Sequence, residues 1–217
     1  MSSPLTLIFT NPLQFLAIVL TLVVAITIHE FSHAAVATAQ GDDTARSQGR
    51  LTLNPIKHLD PFGTILMILA GFGWGRPVPF VPARLRNKRF GPVLVSLVGP
   101  FSNFVLAFAS AALLKLLYDT GTLTETSFTF VRTFMRINLV LGIFNLLPIP
   151  PLDGSRLLAA LLPESKQGIV RFLDQYGVYL LLAVVFLPVV YPDLNWLGPL
   201  FARAEEALLG LFGLQLA

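Results

Sequence analysis

The sequence predicts an all-α polytopic membrane protein. Apolar residues make up 54% of the 217 residues, charged residues only 12%, and the mean hydropathy is +0.73. Soluble domains carry about 25% charged residues, whereas apolar runs of about 20 residues are typical of membrane helices. We expect about four full transmembrane helices, a re-entrant segment that could include short strands between the first two, and an interfacial amphipathic helix at the C-terminus.

The expected spans follow from the positions of the long apolar runs. Residues 13–39 contain no Lys, Arg or Asp and would make about 40 Å of helix. The second, third and fourth runs are residues 92–117, 131–147 and 173–190. From Trp196 onward, charged residues alternate with Leu and Phe at helical spacing, which predicts a helix lying at the interface. Because no linker or repeat interrupts the chain, residues 1–217 are expected to form a single membrane-embedded domain.

The segment between the first two spans is interrupted by glycine and proline. Residues 62–79 are largely apolar, but Gly63, Gly71, Pro77 and neighbouring residues of the same two types break up the run. Composition therefore leaves open whether this segment spans or re-enters the membrane. The alternating residues 50–54 could form a short strand.

Composition also excludes several functional classes. The chain has no cysteine, so a bound metal would be held by nitrogen and oxygen atoms. The net charge of +3 is what basic loops beside membrane helices produce, and it gives no reason to expect nucleic acid as a partner. No Lys or Arg precedes Arg46, so the first apolar run is expected to be retained rather than removed as a signal peptide.

The most specific motif is His29-Glu30-Phe31-Ser32-His33, in the second half of the first expected span. Residues four apart lie on one face of a helix, so His29 and His33 can bind one metal ion while Glu30 transfers protons. This pattern is typical of zinc metalloproteases. Ionisable groups inside a span cost roughly 2.5 kcal/mol or more, which favours a functional role. A structural metal site or a polar pair between helices is the alternative.

A catalytic zinc site usually has three protein ligands and one open position, so a third donor is needed. We expect Asp153, because it follows the third span in a turn rich in Pro and Gly, where a carboxylate can face the protein interior. His58 is a rival candidate. A solvated loop position for His58, or a pairing with Asp60, is the favoured interpretation of that residue.

Asp153 can reach the metal only if its turn lies on the same side of the membrane as the end of the first span. Re-entry of residues 62–79 meets this condition and a full crossing does not. With re-entry, ten Lys and Arg residues lie on one side and four on the other, with Arg76 uncounted; a crossing gives seven and seven. The ten are Arg46, Arg50, Lys57, Arg84, Arg86, Lys88, Arg89, Arg156, Lys166 and Arg171, and the four are Lys115, Arg132, Arg136 and Arg203. The usual excess of basic residues in cytoplasmic loops therefore favours re-entry, with the metal nearer the cytoplasmic side of a bacterial-type plasma membrane.

Three further residues are candidates for supporting roles. Asn103, in the second span, is interpreted either as a donor to substrate or to the oxyanion, or as a structural hydrogen bond between helices. Asn145 is expected to shape the turn before Asp153. Gly154 is expected to let the backbone bend so that Asp153 points at the metal.

Three motifs in order carry a resemblance to a known family: His29-Glu30-x-x-His33, Gly99-Pro100-x-x-Asn103, and Asn145-Leu146-Leu147-Pro148 leading to Leu152-Asp153-Gly154. Over about residues 20–160 the chain resembles the site-2 proteases, the intramembrane zinc metalloproteases of peptidase family M50. The resemblance implies one Zn²⁺ bound by His29, His33 and Asp153, with Glu30 as the catalytic acid and base. It also implies substrates that are membrane-spanning proteins cut within or near the bilayer. Many members carry a PDZ or a cystathionine-synthase-type domain, and this chain resembles the minimal form without either.

The alternative function is a non-hydrolytic membrane zinc-binding or transport protein. Transport would need polar groups along a route to both membrane faces, yet residues 107–117 contain only Ser110 and Lys115 as polar residues. The sequence carries no signal for the oligomeric state.

Overall fold

The computed structural model describes residues 4–70 and 73–214, which form helices joined by short connections. The helices are α1 (Pro4–Thr10), α2 (Pro12–Ala39), α3 (Thr44–Ser47), α4 (Pro61–Ala70), α5 (Gly91–Asp119), α6 (Glu125–Asn145), α7 (Gly154–Leu161), α8 (Gln167–Val190) and α9 (Leu197–Leu211). Within these residues, four helices are long and apolar enough to cross a membrane, namely α2, α5, α6 and α8. The predicted fold class is confirmed, and the protein is an integral membrane protein.

Local capping sets the helix ends. Asn11 accepts a hydrogen bond from the Gln14 amide at the start of α2, where Pro12 occupies the first helical position. The third span begins at Glu125 rather than at residue 131, because Thr124 and Ser127 form a capping box that starts α6. The fourth span likewise begins at Gln167 rather than at residue 173. The apolar runs therefore located these two helices but not their polar first turns.

Helices α2, α5 and α6 pack against one another and form the centre of the molecule. Small side chains lie at their contacts, including the fully buried Ala25, Ala107 and Ala111. At Gly142 of α6 a Cβ atom would stand 2.7 Å from the Phe104 ring, so only glycine allows this approach. Small residues at such contacts let membrane helices come close enough for van der Waals packing and interhelical hydrogen bonds.

The predicted C-terminal amphipathic helix is present as α9. Its buried residues Leu208 and Leu209 join a core cluster with Leu114 of α5 and Met135 of α6. Glu205 is only 8% exposed and accepts from Arg132 of α6 at 3.1 Å, with Arg136 at 3.5 Å. Arg132 and Arg136 of the third span thus share a buried acidic partner.

The connection between α2 and α5 returns close to its starting point. Helix α4 has 10 residues, about 15 Å, which is half the thickness of a hydrocarbon core. Leu59 and Gly75 form an antiparallel bridge, and the Arg76 amide donates to the His58 carbonyl at 2.7 Å. The segment therefore leaves and re-joins the loop at neighbouring positions.

Residues 50–54, all within the described chain, do not form the short strand that their alternation allowed. A bend occupies positions 51 and 52. The Thr52 carbonyl accepts from His58 Nε2, and the Thr52 hydroxyl accepts from the Asn54 amide. These local hydrogen bonds satisfy groups that a strand would have directed to a neighbouring strand.

Residues 75–81, which we call the strap, form no helix and pair as a bridge only at Gly75, and the backbone is extended at Val81. The strap lies against α2. Its last amide, at Val81, donates to the carboxylate of Asp42, which is fully buried just beyond the end of α2.

Candidate metal centre

His29 and His33 lie one helical turn apart on the buried face of α2, with their Nε2 atoms 3.0 Å from each other. The Nδ1 atom of His33 is hydrogen-bonded to the backbone carbonyl of Val95 in α5. A carbonyl oxygen can only accept, so Nδ1 carries the proton and the lone pair of Nε2 is free. This is the tautomer that a metal-binding imidazole needs.

His29 is held in the same way by a side chain. Its Nδ1 atom lies 2.7 Å from Oδ1 of Asn103, which is fully buried in α5. The Asn103 amide nitrogen donates to Oδ1 of Asn138 at 2.9 Å and to the carbonyl of Ala25 at 3.4 Å. With both ends of its amide engaged, Asn103 makes the hydrogen bonds between helices that are one of its two interpretations and is placed to orient His29, while contact with substrate or oxyanion stays a prediction.

Asn138 was missed in the sequence analysis. It is fully buried in α6, where it links the third span to Asn103. The signal was present, since Asn138 is an amide within the apolar part of that span and a buried amide there requires partners.

Asp153 completes a compact group of donors. Its Oδ2 atom lies 3.1 Å from His29 Nε2 and 3.3 Å from His33 Nε2. Donors held about 2.0–2.2 Å from a tetrahedral zinc ion are roughly 3.3 Å from one another. Among the described residues, these three form the group of His, Asp or Glu side chains that could hold one metal ion. Two neutral imidazoles and a carboxylate suit zinc.

The carboxylate is in its charged form at neutral pH. Burial opposes ionisation of Asp153, but hydrogen bonds and positive charge from the protonated forms of His29 and His33 outweigh this effect and keep the pKa of Asp153 below its ordinary value. A negative donor is therefore available more than 100 residues away from the two imidazoles in sequence.

Close packing holds the turn that carries Asp153. A Cβ atom at Gly154 would stand 2.2 Å from the Leu146 carbonyl oxygen, so the chain can fold back onto the end of α6 only with glycine there. The φ of Gly154 is not positive. Close approach to the Leu146 backbone is thus a reason for glycine at this position, and the expected role of Gly154 in directing Asp153 stays a prediction. Asn145 donates to the Leu141 carbonyl within α6 at 3.0 Å.

Gly99 of α5 provides the surface against which both imidazoles rest. A Cβ atom there would stand 2.3 Å from His33 Nε2 and 2.7 Å from His29 Cε1. The Gly99-Pro100 pair therefore creates the space that the two rings occupy.

Glu30 is buried beside the histidines, and its Oε2 atom accepts a hydrogen bond of 3.0 Å from the Val78 amide of the strap. His58 is not the solvated loop residue that we expected. It is fully buried and bonded to the Thr52 carbonyl, because the loop folds inward beneath the strap. His58 is also not part of the three-donor group.

Comparison with known proteins identifies the family of the chain. A family model described as "Peptidase family M50" matches residues 115–188, which include Asp153. A Bacillus subtilis (strain 168) protein named "Putative zinc metalloprotease YwhC" is 44% identical over 200 residues, covering 90% of each chain. The chain belongs to peptidase family M50. A second relative, "Putative zinc metalloprotease Rip2" of Mycobacterium tuberculosis (strain ATCC 25618 / H37Rv), is 30% identical over 180 residues, covering 80% of this chain and 68% of the relative.

No solved structure matches the chain. Family membership and these relatives support a zinc metalloprotease of the site-2 type, with zinc as the cofactor.

Proposed function

We propose that this M50 protein is a single membrane-embedded domain that hydrolyses peptide bonds of membrane-spanning proteins within or near the bilayer. The observation that carries the proposal is the convergence of His29, His33 and Asp153 within 3.0–3.3 Å beside Glu30, inside a bundle of helices long enough to span. Such a set of ionisable groups is costly in a membrane unless it performs chemistry.

Each residue of the site has a distinct role in this proposal. His29, His33 and Asp153 hold the zinc ion. When bound, zinc supplies Lewis-acid activation of water and of the peptide carbonyl. Glu30 accepts the proton from water and later delivers it to the departing amine nitrogen. Oε2 of Glu30 already accepts a hydrogen bond from the Val78 amide, so we assign the proton transfer to Oε1.

Replacing Glu30 by Gln tests the function. Glu30→Gln keeps the size of the side chain and leaves all three proposed zinc ligands unchanged. The purified variant should therefore retain about one zinc ion per chain while proteolysis is lost. The membrane proteomes of cells carrying each form should then differ by a client fragment that accumulates with Glu30→Gln. The matched control is Glu125→Gln, in the exposed first turn of α6. Asp153→Ala should lower the zinc content.

The alternative function predicts a different outcome. A protein that only binds or transports zinc has no need of the Glu30 carboxylate as a proton acceptor. Identical membrane proteomes for the wild type and Glu30→Gln, together with unchanged zinc content, would therefore contradict the proposed protease function.

We further propose that the zinc site lies nearer the cytoplasmic side. The pairing of Leu59 with Gly75 supports a re-entrant segment, which leaves ten basic residues on the side of Asp153. Because the chain has no cysteine, single cysteines can report the side. In intact cells, a membrane-impermeant maleimide should label Thr122→Cys and should label Gln48→Cys only after permeabilisation. The reverse pattern would contradict this orientation.

A further inference from the structure

Arg50 is a buried cation whose side chain supports the strap. It is 5% exposed. Its Nη1 atom donates to the Pro77 carbonyl at 3.1 Å, and Nη2 donates to the Arg76 carbonyl. Its own amide is anchored to the Ala45 carbonyl at 2.9 Å. Desolvating a guanidinium is costly, so burial of Arg50 against two backbone carbonyls calls for an explanation.

The explanation lies in the next peptide group along the strap. The Pro77 carbonyl and the Val78 amide belong to the same planar peptide unit. Arg50 binds the oxygen of this unit, and Glu30 Oε2 accepts from its N–H at 3.0 Å. Pro77 and Pro79 have no N–H, so the Val78 amide is the only donor that residues 77–79 of the backbone can offer to Glu30.

Two further observations link the strap and Arg50 to Glu30. At Gly75 a Cβ atom would stand 2.8 Å from Ile26 Cγ2 and 3.6 Å from Glu30 Oε1, so the strap packs directly on α2 beside the carboxylate. Burial lowers the pKa of Arg50, and the charge of Glu30 acts against that effect, which means that the two charged groups interact electrostatically. A cation on the carbonyl also polarises the peptide unit and strengthens its N–H as a donor.

We propose that Arg50 is a positioning residue for proteolysis. Through the Pro77–Val78 peptide unit, it holds Oε2 of Glu30 and thereby leaves Oε1 directed for proton transfer. The inference rests on the proposed protease function and extends it to a residue outside the zinc ligands.

A purely structural role for Arg50 would give different measurements. If Arg50 only stabilised the loop, its loss would lower the folded and zinc-loaded fraction, but each zinc-loaded molecule would turn over at the normal rate. If the strap bound substrate, KM would rise. A positioning role lowers kcat per bound zinc and leaves KM unchanged, because Glu30 acts on the bound substrate.

The test uses the full chain in detergent or liposomes, with the tagged client fragment that accumulates with Glu30→Gln as the probe. Arg50→Met should lower kcat per bound zinc by about 10–100-fold, as expected for a group that orients a catalytic residue. Arg50→Lys keeps the cation but lacks the planar fork that reaches two carbonyls, and should lose roughly three- to tenfold. The control is Arg46→Met, an exposed arginine paired with Asp43 in the same loop, which should match the wild type.

Amide hydrogen exchange provides a readout independent of activity. The amides of Arg76, Val78 and Val81 are hydrogen-bonded in the strap, and Arg50→Met should accelerate exchange there while the ligand helices stay protected. The inference is overturned if Arg50→Met shows wild-type kcat per bound zinc, or a rise in KM alone. If Arg50→Met binds no zinc, the same two measurements on Arg50→Lys, kcat per bound zinc and KM, test the inference instead. A wild-type chain that cleaves nothing would instead refute the proposed function itself.

Discussion

A methyl group added at Gly99 would press directly on both imidazoles of the candidate metal centre. The new Cβ atom would stand 2.3 Å from His33 Nε2, whereas ordinary van der Waals contact begins at 3.4 Å. The ring or the helix must therefore move by about 1.1 Å, the difference between these two distances. The His33 ring has little freedom to do so, because its Nδ1 atom is bonded to Val95 on the same helix as Gly99.

The size of this displacement sets the expected effect. Zinc–ligand distances tolerate a deviation of about 0.2 Å, which is several times smaller than the required movement. Loss of an outer hydrogen-bond partner alone costs about 10–100-fold in metal affinity. We expect Gly99→Ala to weaken zinc binding by at least about 100-fold, since it displaces two ligands rather than loosening one.

Zinc affinity is measured by competition with a chelator on the purified protein, with thermal unfolding recorded in parallel. Gly168→Ala is the matched control, because its Cβ atom in α8 would have no neighbour within 4 Å. This variant should bind zinc like the wild type. Wild-type zinc affinity in Gly99→Ala would refute the assignment of His29 and His33 as ligands pressed against α5.

Three other variants test the surroundings of the site. Asn103→Leu removes the acceptor for His29 and should lower zinc affinity about 10–100-fold by chelator competition. Glu205→Gln weakens the pairing of a buried carboxylate with two exposed arginines and should lower the free energy of unfolding by up to about 1 kcal/mol, less at high salt. Burial opposes ionisation of Asp42, but hydrogen bonds from Thr44 and the strap outweigh this effect and lower the pKa of Asp42. The ionised carboxylate therefore stabilises the folded protein above the pKa of the unfolded state, and this stabilisation is lost as the pH falls through the pKa of the folded state. Unfolding temperatures between about pH 6 and 3 should fall less steeply for Asp42→Asn than for the wild type.

The parts of the protein that depend on local spacing could be predicted from the sequence. Long apolar runs identify the four spanning helices, because a chain in hydrocarbon must satisfy its backbone hydrogen bonds within each helix. His29 and His33 share one helical face whatever surrounds them. Asp153 could be proposed because a helix-breaking turn is where a carboxylate can face inward. Polar helix starts, as at Glu125, were missed because hydropathy does not detect capping.

Only the tertiary structure decided which distant residues serve the site. Asn103 bonds His29 across 74 positions in sequence, and Gly99 proved to be the support for both rings. Arg50 was counted only as a loop charge, and residues 50–54 were considered a possible short strand, because the strap that buries Arg50 lies 26 residues further along. Periodicity reports which face of a helix a residue occupies, but not what lies opposite that face. The partners of the site follow from how α2, α5, α6 and the strap pack together, and that packing is a property of the whole chain.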